Sequence, residues 1–175
     1  MENHLFLAYR LIISYIYMNL YKGKKTQGKK KIHNTTKRIR LSNSTTITNF
    51  QKEITVVFME MLMMVKLFHW KTYSYATHKA TDDLYSKLNE NIDHFIEVLL
   101  GKSGKRTDLT GQKHIRLLDL SNVEMLKKEV YRFKAYLVAL NDNKVLLQMT
   151  NTDLFNIRDE ILGDLNQFLY LLSFK

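Results

Sequence analysis

The sequence lacks cysteine and proline and has only six glycines among its 175 residues. Without cysteine, the chain cannot form a disulfide scaffold, a thiolate nucleophile, or a cysteine-ligated zinc or iron–sulfur site. The scarcity of proline and glycine leaves few turn signals, which argues against a many-stranded sandwich and favours long helices. The length suits one domain with a substantial core.

Acidic residues are almost missing from the first part of the chain. Residues 1–47 contain ten Lys and Arg and one acid, Glu2, whereas residues 48–175 contain 17 Lys and Arg and 16 acids. The net charge of +10 therefore belongs mainly to an N-terminal arm. Charge-based inferences about partners concern this arm and not the rest of the chain.

Residues 22–47 are rich in Lys, Gly, Thr, Ser and Asn and show no hydrophobic periodicity, which predicts a disordered basic arm. Such an arm can bind DNA phosphates without reading the sequence. A solvated tail or a localisation signal is the alternative interpretation. The candidate DNA-binding residues are Lys22, Lys24, Lys25, Lys29, Lys30, Lys31, Lys37, Arg38 and Arg40.

Residues 1–21 form a separate segment, of which residues 5–21 are mostly apolar. This stretch is marginal for a membrane span, which needs about 20 apolar residues, and it lacks the cleavage site of a signal peptide. A membrane anchor followed by basic residues is one interpretation. We prefer an interpretation without a membrane role, in which translation starts at Met18.

From residue 48 onward, apolar residues recur with helical spacing in four separate segments. They predict helices over about 48–72, 77–100, 121–140 and from 152 to the C-terminus. One longer connection lies in the middle, over residues 101–113. The fold class that we predict for residues 48–175 is therefore all-α, as a four-helix bundle.

Three local features of these helices are also predicted. Gly101 is expected to end the second helix as a C-cap glycine. Ser121 and Glu124 have the spacing of a capping box that opens the third helix. Residues 114–119 are expected to form a helical turn.

No phosphate-binding glycine loop, nucleophile elbow or HExxH motif is present, and we expect no small organic substrate. Titratable chemistry is concentrated between His69 and Glu97. On a helical wheel of about 100° per residue, the second helix places one histidine and three carboxylates on a stripe beside its core face. These residues are His78, Asp82, Asp93 and Glu97.

The length of that helix prevents one chain from holding one ion with all of these residues. At about 1.5 Å per residue, His78 and Glu97 lie roughly 28 Å apart, and Asp82 and Asp93 about 16 Å apart. A second copy packed antiparallel about a two-fold axis would instead create two equal sites. The alternative is an ordinary solvated helix face.

The pair His69-Trp70, then His78, the segment DDLYS from residue 82, and Asp93 and Glu97 before LLG resemble the ferroxidase signature of the Dps family. These proteins are miniature ferritins that bind DNA in starved cells. The resemblance is strongest over residues 69–101. It implies the metal ligands His69, His78 and Asp82, with Asp93 and Glu97 from a neighbouring subunit, no further catalytic residue, and Trp70 beside the site.

The resemblance also implies a ferritin-like fold and a two-fold dimer within a dodecamer. The implied activity is oxidation of Fe(II) by hydrogen peroxide or dioxygen, with storage of the iron. The same ligands suit Zn or Mn as replacements for iron. The chain is also similar to an uncharacterised Dps-like group of large DNA viruses, so the expected locations are the cytoplasm, the nucleoid or the interior of a virion.

The sequence departs from the family in one respect that bears on the site. His69 and His78 are closer in sequence than is usual, and the glycine after the His-Trp pair is missing, so the connection must be tighter. This departure favours a second function, in which a non-catalytic ferritin-like protein uses the arm to condense nucleic acid.

Overall fold

The computed structural model describes residues 46–174, so the predictions for residues 5–21 and for nearly all of the basic arm lie outside the described part. Within it the chain is helical and contains no strand. Our prediction of an all-helical domain with four long helices is thereby confirmed for these residues. The elements are α1 (Ile47–Lys71), α2 (Tyr75–Ser103), α3 (Val123–Ala139), a 3₁₀ turn (Leu140–Asp142), α4 (Lys144–Leu147) and α5 (Thr152–Leu171).

Of the two residues of the predicted arm that the structure describes, Ile47 begins the first helix and Thr46 is its N-cap. The Thr46 side chain accepts a hydrogen bond from the Asn49 N–H at 3.3 Å, and Ile47 is the first residue of α1. A threonine in this position satisfies one of the free N–H groups at a helix start.

Helix α2 is longer than predicted at both ends. Ser74 caps its start by accepting from the Thr77 N–H at 3.3 Å, so the helix begins at Tyr75. The prediction that Gly101 ends it is wrong. The helix continues through Gly101, because a glycine inside a helix costs only about 1 kcal/mol relative to alanine. It ends at Gly104, which adopts a left-handed φ of 65° and is the actual C-cap.

Two further local predictions are wrong. The N-cap of α3 is Asn122, whose side chain accepts from the Met125 N–H at 2.9 Å, and not Ser121. The segment 114–119 forms no helical turn, because it is extended and tied to α1 through Arg116. Helix α4 was not predicted. It is a single turn opened by Asn143, whose side chain accepts from the N–H groups of Val145 and Leu146.

Ion pairs and hydrogen bonds fix the directions of the long helices. Helix α2 packs against both α1 and α5, and α5 also contacts α3. Asn91 bonds to Asp164 at 2.9 Å, and Lys102 pairs with Asp153 at 2.8 Å, so α2 and α5 are antiparallel. Tyr136 near the end of α3 bonds to Glu53 near the start of α1 at 3.4 Å, so these two helices are antiparallel as well.

Residues 104–122 form a crossover that runs along α1 from its start to its end. Asp108 lies 3.7 Å from Lys52, Arg116 lies 3.4 Å from Glu60, and Asp119 pairs with Lys71. Because the crossover returns to the end at which α2 began, α2 and α3 run in the same direction.

The core contains the apolar faces of all four long helices. Phe58 of α1 and Phe95 of α2 meet edge to face with ring centroids 5.3 Å apart, and both are fully buried. Tyr136 is buried too, and burial together with the neighbouring Glu53 raises the pKa of its phenol well above the usual 10.0. Among residues 46–174, no helix is both long and apolar enough to cross a bilayer.

Candidate metal site at the α1–α2 connection

The connection between α1 and α2 consists of three residues, Thr72 to Ser74. The Thr72 N–H bonds back to the Phe68 carbonyl at 3.0 Å, and the His78 N–H bonds to the Ser74 carbonyl at 2.8 Å. Both helices are therefore hydrogen-bonded up to the connection, and only these three residues separate them. This tight link places His69 in the last turn of α1 opposite His78 in the first turns of α2.

The two histidines bond to each other's backbone in a reciprocal way. Nδ1 of His69 lies 3.1 Å from the His78 carbonyl oxygen, and Nδ1 of His78 lies 3.1 Å from the His69 carbonyl oxygen. A carbonyl oxygen only accepts, so both Nδ1 atoms must carry the hydrogen. In the neutral imidazoles, both Nε2 atoms then have a free lone pair, which is the form that binds a metal ion.

The two imidazole rings are stacked. Their centroids are 4.0 Å apart and their planes differ by 24°. Each Nε2 lone pair lies in the plane of its own ring, so the two lone pairs do not meet at a point between the rings. One ion lying between the two rings therefore could not be bound by both imidazoles.

Thr81 supports this pair and was not identified from the sequence. Its side chain is fully buried, and its Oγ1 lies 2.8 Å from the Thr77 carbonyl, 3.0 Å from the His78 carbonyl and 3.4 Å from His69 Nδ1. The hydroxyl donates to a carbonyl and can accept from the imidazole. The only sequence signal for it is its position one helical turn after His78. We call His69, His78 and Thr81, with the connection between them, the histidine end.

Asp82 adds a carboxylate to the histidine end. Its Oδ1 lies 3.8 Å from Nε2 of His69. The His69 side chain is 10% exposed and the Asp82 side chain 48% exposed, so the two groups meet at the boundary between core and solvent. An ion at this boundary would be reachable from outside while its nitrogen ligand is held from within.

The remaining predicted site residues lie elsewhere. Asp93 and Glu97 are exposed on α2, about three and four turns beyond Asp82. Trp70 is 66% exposed, and its ring is approached by Lys66 Nζ at 5.8 Å. Within residues 46–174, no group of three or more His, Cys, Asp or Glu residues is placed to hold one metal ion. The structure thus brings His69 next to His78 and next to Asp82, and it leaves the other two carboxylates apart from them.

The comparisons with known proteins give a family without an assigned activity. The family model described as "Family of unknown function (DUF5856)" matches residues 69–172. The chain belongs to this family. The match begins at His69 and runs to the residue after α5, so it includes the histidine end and the three candidate ligands Asp82, Asp93 and Glu97. No curated protein and no solved structure matches the chain.

Proposed function

We propose that this chain is a ferritin-like protein of the Dps type, which binds and oxidises Fe(II) at a site shared by two copies. The reciprocal histidine pair is the observation on which the proposal rests. Histidines that bind metals commonly donate their second ring N–H to a carbonyl or carboxylate, which fixes the tautomer and the ring orientation. Both His69 and His78 do this within the described structure.

The helix directions support a ferritin-like four-helix bundle. Antiparallel α1 and α2 are followed by a long crossover and then by antiparallel α3 and α5. Ferritin-like bundles differ from simple up-and-down bundles in having one such long crossover. The ion pairs that fix the crossover along α1 account for its length, since it must span the whole domain.

A second copy would complete the ligand set. The histidine end offers two imidazoles and Asp82, which leaves the charge of two divalent ions largely uncompensated. Asp93 and Glu97 cannot approach their own histidine end, because α2 is a continuous helix between them. In an antiparallel dimer about a two-fold axis, each copy would supply these carboxylates to the other.

The outer face of α1 offers apolar surface for this dimer. At about 100° per residue, Val56, Met59, Met63 and Trp70 fall within roughly 60° of one another. Met59 and Met63 are 40% and 41% exposed, and Ile115 and Leu117 on the neighbouring crossover are 41% and 59% exposed. A contiguous exposed apolar surface can mark an interface. A dodecamer would be built from such dimers.

In the proposed reaction Fe(II) is the substrate. Two Fe(II) ions each lose one electron, and hydrogen peroxide takes up both electrons with two protons and becomes two molecules of water. His69 and His78 bind through Nε2, and the carboxylates offset the positive charge that grows as Fe(III) forms. The oxidised iron would then be stored as a mineral. Zn or Mn would compete for the same ligands.

The test uses two variants of the full-length chain, His78→Ala and Asp93→Ala. Each should lose rapid Fe(II) oxidation, because each removes one half of every shared site. After subunit exchange in an equal mixture, about a quarter of all sites should contain both native halves, so part of the activity should return. Binding of Co(II), measured by its absorption, gives a second readout that needs no turnover.

Matched controls are His114→Ala and Asp142→Ala, which remove an exposed histidine and an exposed carboxylate outside the proposed set. Both should oxidise Fe(II) like the native chain. If the exchanged mixture stays as inactive as either variant, the shared site is wrong. If the native chain neither binds Co(II) nor oxidises Fe(II), the ferroxidase proposal fails altogether.

A second candidate function is a non-catalytic ferritin-like protein that binds or condenses nucleic acid through the basic arm. The observation in its favour is the short connection, which holds the two imidazoles in a stack, so that they cannot share one ion between their rings. The ratio of iron to protein in the purified material distinguishes the two functions. A ratio near zero after loading with Fe(II) would favour the second.

A further inference from the structure

The middle of the crossover runs straight along α1. The chain from Asp108 to Asp119 follows α1 from Lys52 to Lys71, about 28 Å of helix, so most of it must be extended. Residues 113–119 contain no turn or bend, and from residue 115 onward exposed and less exposed side chains alternate, as in a β-strand. We call residues 113–119 the crossover segment. Its outward-facing row consists of Lys113, Ile115, Leu117 and Asp119.

The backbone of the crossover segment has almost no hydrogen-bond partner within the described residues 46–174. None of its N–H groups donates a bond there, and among its carbonyls only that of His114 accepts one, from the Gln112 side chain. In a single copy of the chain, water must therefore satisfy these groups. A row of unpaired N–H and C=O groups on an extended segment is a template on which another extended chain can pair.

The outward-facing row is complementary to itself in the antiparallel direction. Consider two copies that pair about a two-fold axis at Arg116. Ile115 then lies opposite Leu117 of the second copy, and this apolar centre is flanked by Lys113 opposite Asp119. Cross-strand pairs of both kinds are stabilising. Moving the axis by one residue in either direction would instead place an apolar side chain opposite a charged one.

The shared metal site proposed above requires a two-fold axis near the middle of α2. In the antiparallel dimer, His78 and Asp82 approach Glu97 and Asp93 of the second copy, respectively. Both of these pairs have the same midpoint, just before Leu88. The axis of the dimer should therefore pass at the height of Leu88.

The crossover segment has its centre at nearly the same height. Lys66 of α1 meets the ring of Tyr85 of α2, with Nζ 4.5 Å from the ring centroid. Since the two helices are antiparallel, Leu88 lies opposite a point on α1 that is about one helical turn from Glu60. Arg116 is 3.4 Å from Glu60. One two-fold axis can therefore serve both the metal site and a pairing of the crossover segments.

We propose that the crossover segment pairs as an antiparallel β-strand with the same segment of a second copy, with Arg116 at the two-fold axis. The pairing would form about six to eight backbone hydrogen bonds and the two kinds of side-chain pair described above. The two Arg116 side chains meet at the axis, where each keeps Glu60 of its own chain as its counter-ion. The inference rests on the dimer of the proposed function and adds a defined contact to it.

Engineered cysteines in the full-length chain test the register, because the native sequence has no cysteine that could interfere. Ile115→Cys chains and Leu117→Cys chains are prepared separately, mixed, allowed to exchange subunits and oxidised mildly. The mixture should form disulfide-linked dimers, since directly opposite residues have Cα atoms about 4.5–5.5 Å apart. Either variant alone should form few, since its two cysteines would lie about 7–8 Å apart on the diagonal.

The control for random oxidation is a mixture of Lys128→Cys and Asp142→Cys chains, both exposed and outside the crossover. If either test variant alone forms as much linked dimer as the mixture, the proposed register is wrong. If sedimentation shows dimers but the test mixture links no better than the control, the strand pairing fails, while the shared site still stands or falls by its own Fe(II) test. Linked dimers from a native sequence that oxidises no Fe(II) would support the pairing and remove the ferroxidase.

A charge exchange tests the two ends of the paired segments. Lys113→Asp and Asp119→Lys should each raise the dissociation constant of the dimer about tenfold, because like charges then face each other twice. A mixture of the two variants should associate like the native chain, because its mixed dimers restore both pairs. Lys128→Asp and Asp142→Lys make the same charge changes elsewhere and should have no effect. Test variants that dimerise like these controls would overturn the proposal.

Discussion

The two ends of the α1–α2 pair are closed by different kinds of contact. At the histidine end, two stacked imidazoles bond to each other's backbone carbonyls beside a fully buried threonine. At the opposite end, which comprises residues 46–52 and 102–108 and which we call the arm end, one bond between Gln51 and Ser103 is accompanied by exposed ion pairs and a glycine cap. Shielded bonds hold donor atoms in fixed positions, whereas exposed pairs exchange readily with water. The first end therefore holds its potential ligand atoms in place, whereas the second is more open to solvent.

The largest effect is expected from Phe95, a core residue that lies between the two ends of α2. Phe95→Ala removes a fully buried ring that packs edge to face on Phe58. We expect a loss of about 3–5 kcal/mol in the free energy of unfolding, because a cavity remains. Denaturant unfolding measures it, with Phe174→Ala, 62% exposed, as the control that should change by less than about 0.5 kcal/mol. A loss as small as that of the control would contradict the burial of Phe95 in the core.

The comparison becomes sharper with one matched pair of substitutions, both in α1 and both in the presence of a chelator. His69→Ala should reduce the free energy of unfolding by about 2–3 kcal/mol, because it creates a cavity and leaves the His78 carbonyl without its imidazole donor. Gln51→Ala should cost less, about 1–2 kcal/mol, since it removes one hydrogen bond to Ser103 and the packing of a buried side chain.

A third variant separates ring packing from hydrogen bonding at the histidine end. His69→Phe keeps an aromatic ring in the stack but removes the Nδ1–H donor, so its stability should lie between those of the native chain and His69→Ala. Equal losses for His69→Ala and Gln51→Ala, measured by denaturant unfolding, would remove the distinction that we draw between the two ends.

The smallest effect concerns acid sensitivity at the arm end. The hydrogen bond from Lys102 holds the pKa of Asp153 below its usual 3.8, and the Thr110 hydroxyl does the same for the pKa of Asp108. A carboxyl with a lowered pKa in the folded state stabilises the fold above about pH 3.8 and loses this contribution as the pH falls below that value. Acidification should therefore loosen the arm end.

Hydrogen exchange of the backbone amides, corrected for its intrinsic pH dependence, can detect this. Protection at residues 102–108 should fall below pH 3.8 more than protection at residues 75–81. Asp153→Asn should show the lower protection already at neutral pH and a weaker dependence on acid. An equal loss at both ends in the native chain would contradict the prediction.

Helical periodicity was sufficient to locate the four long helices, but competing caps decided where they end. Gly101 and Gly104 are equally plausible as C-caps by residue type, and the chain turns at the second, where φ is 65°. Ser121 and Asn122 compete in the same way at the start of α3, where the asparagine caps. The extended conformation around Arg116 depends on Glu60, which is 56 residues away, so no local pattern reveals it.

The candidate site was predictable in its residue types and not in its geometry. The spacing of His69 and His78 indicates a short connection, but the exchange of hydrogen bonds with each other's carbonyls depends on how the two helix ends meet. Thr81 has no chemistry of its own that would distinguish it in the sequence. The positions of Asp93 and Glu97 on α2 agree with the expectation that they lie too far from His78 to bind the same ion within one chain. Their place in a site shared with a second copy stays a prediction.

The crossover divides the chain into two helical hairpins, α1 with α2 and α3 with α5. The hairpins are joined covalently only by residues 104–122, and they pack on each other chiefly through α2 and α5. Lys105, Arg106 and Lys113 are exposed on this link, so trypsin has access to it. A chain cut there would consist of two fragments whose shared apolar surface still favours association, which makes the crossover a natural place to split the protein into two separately expressed halves.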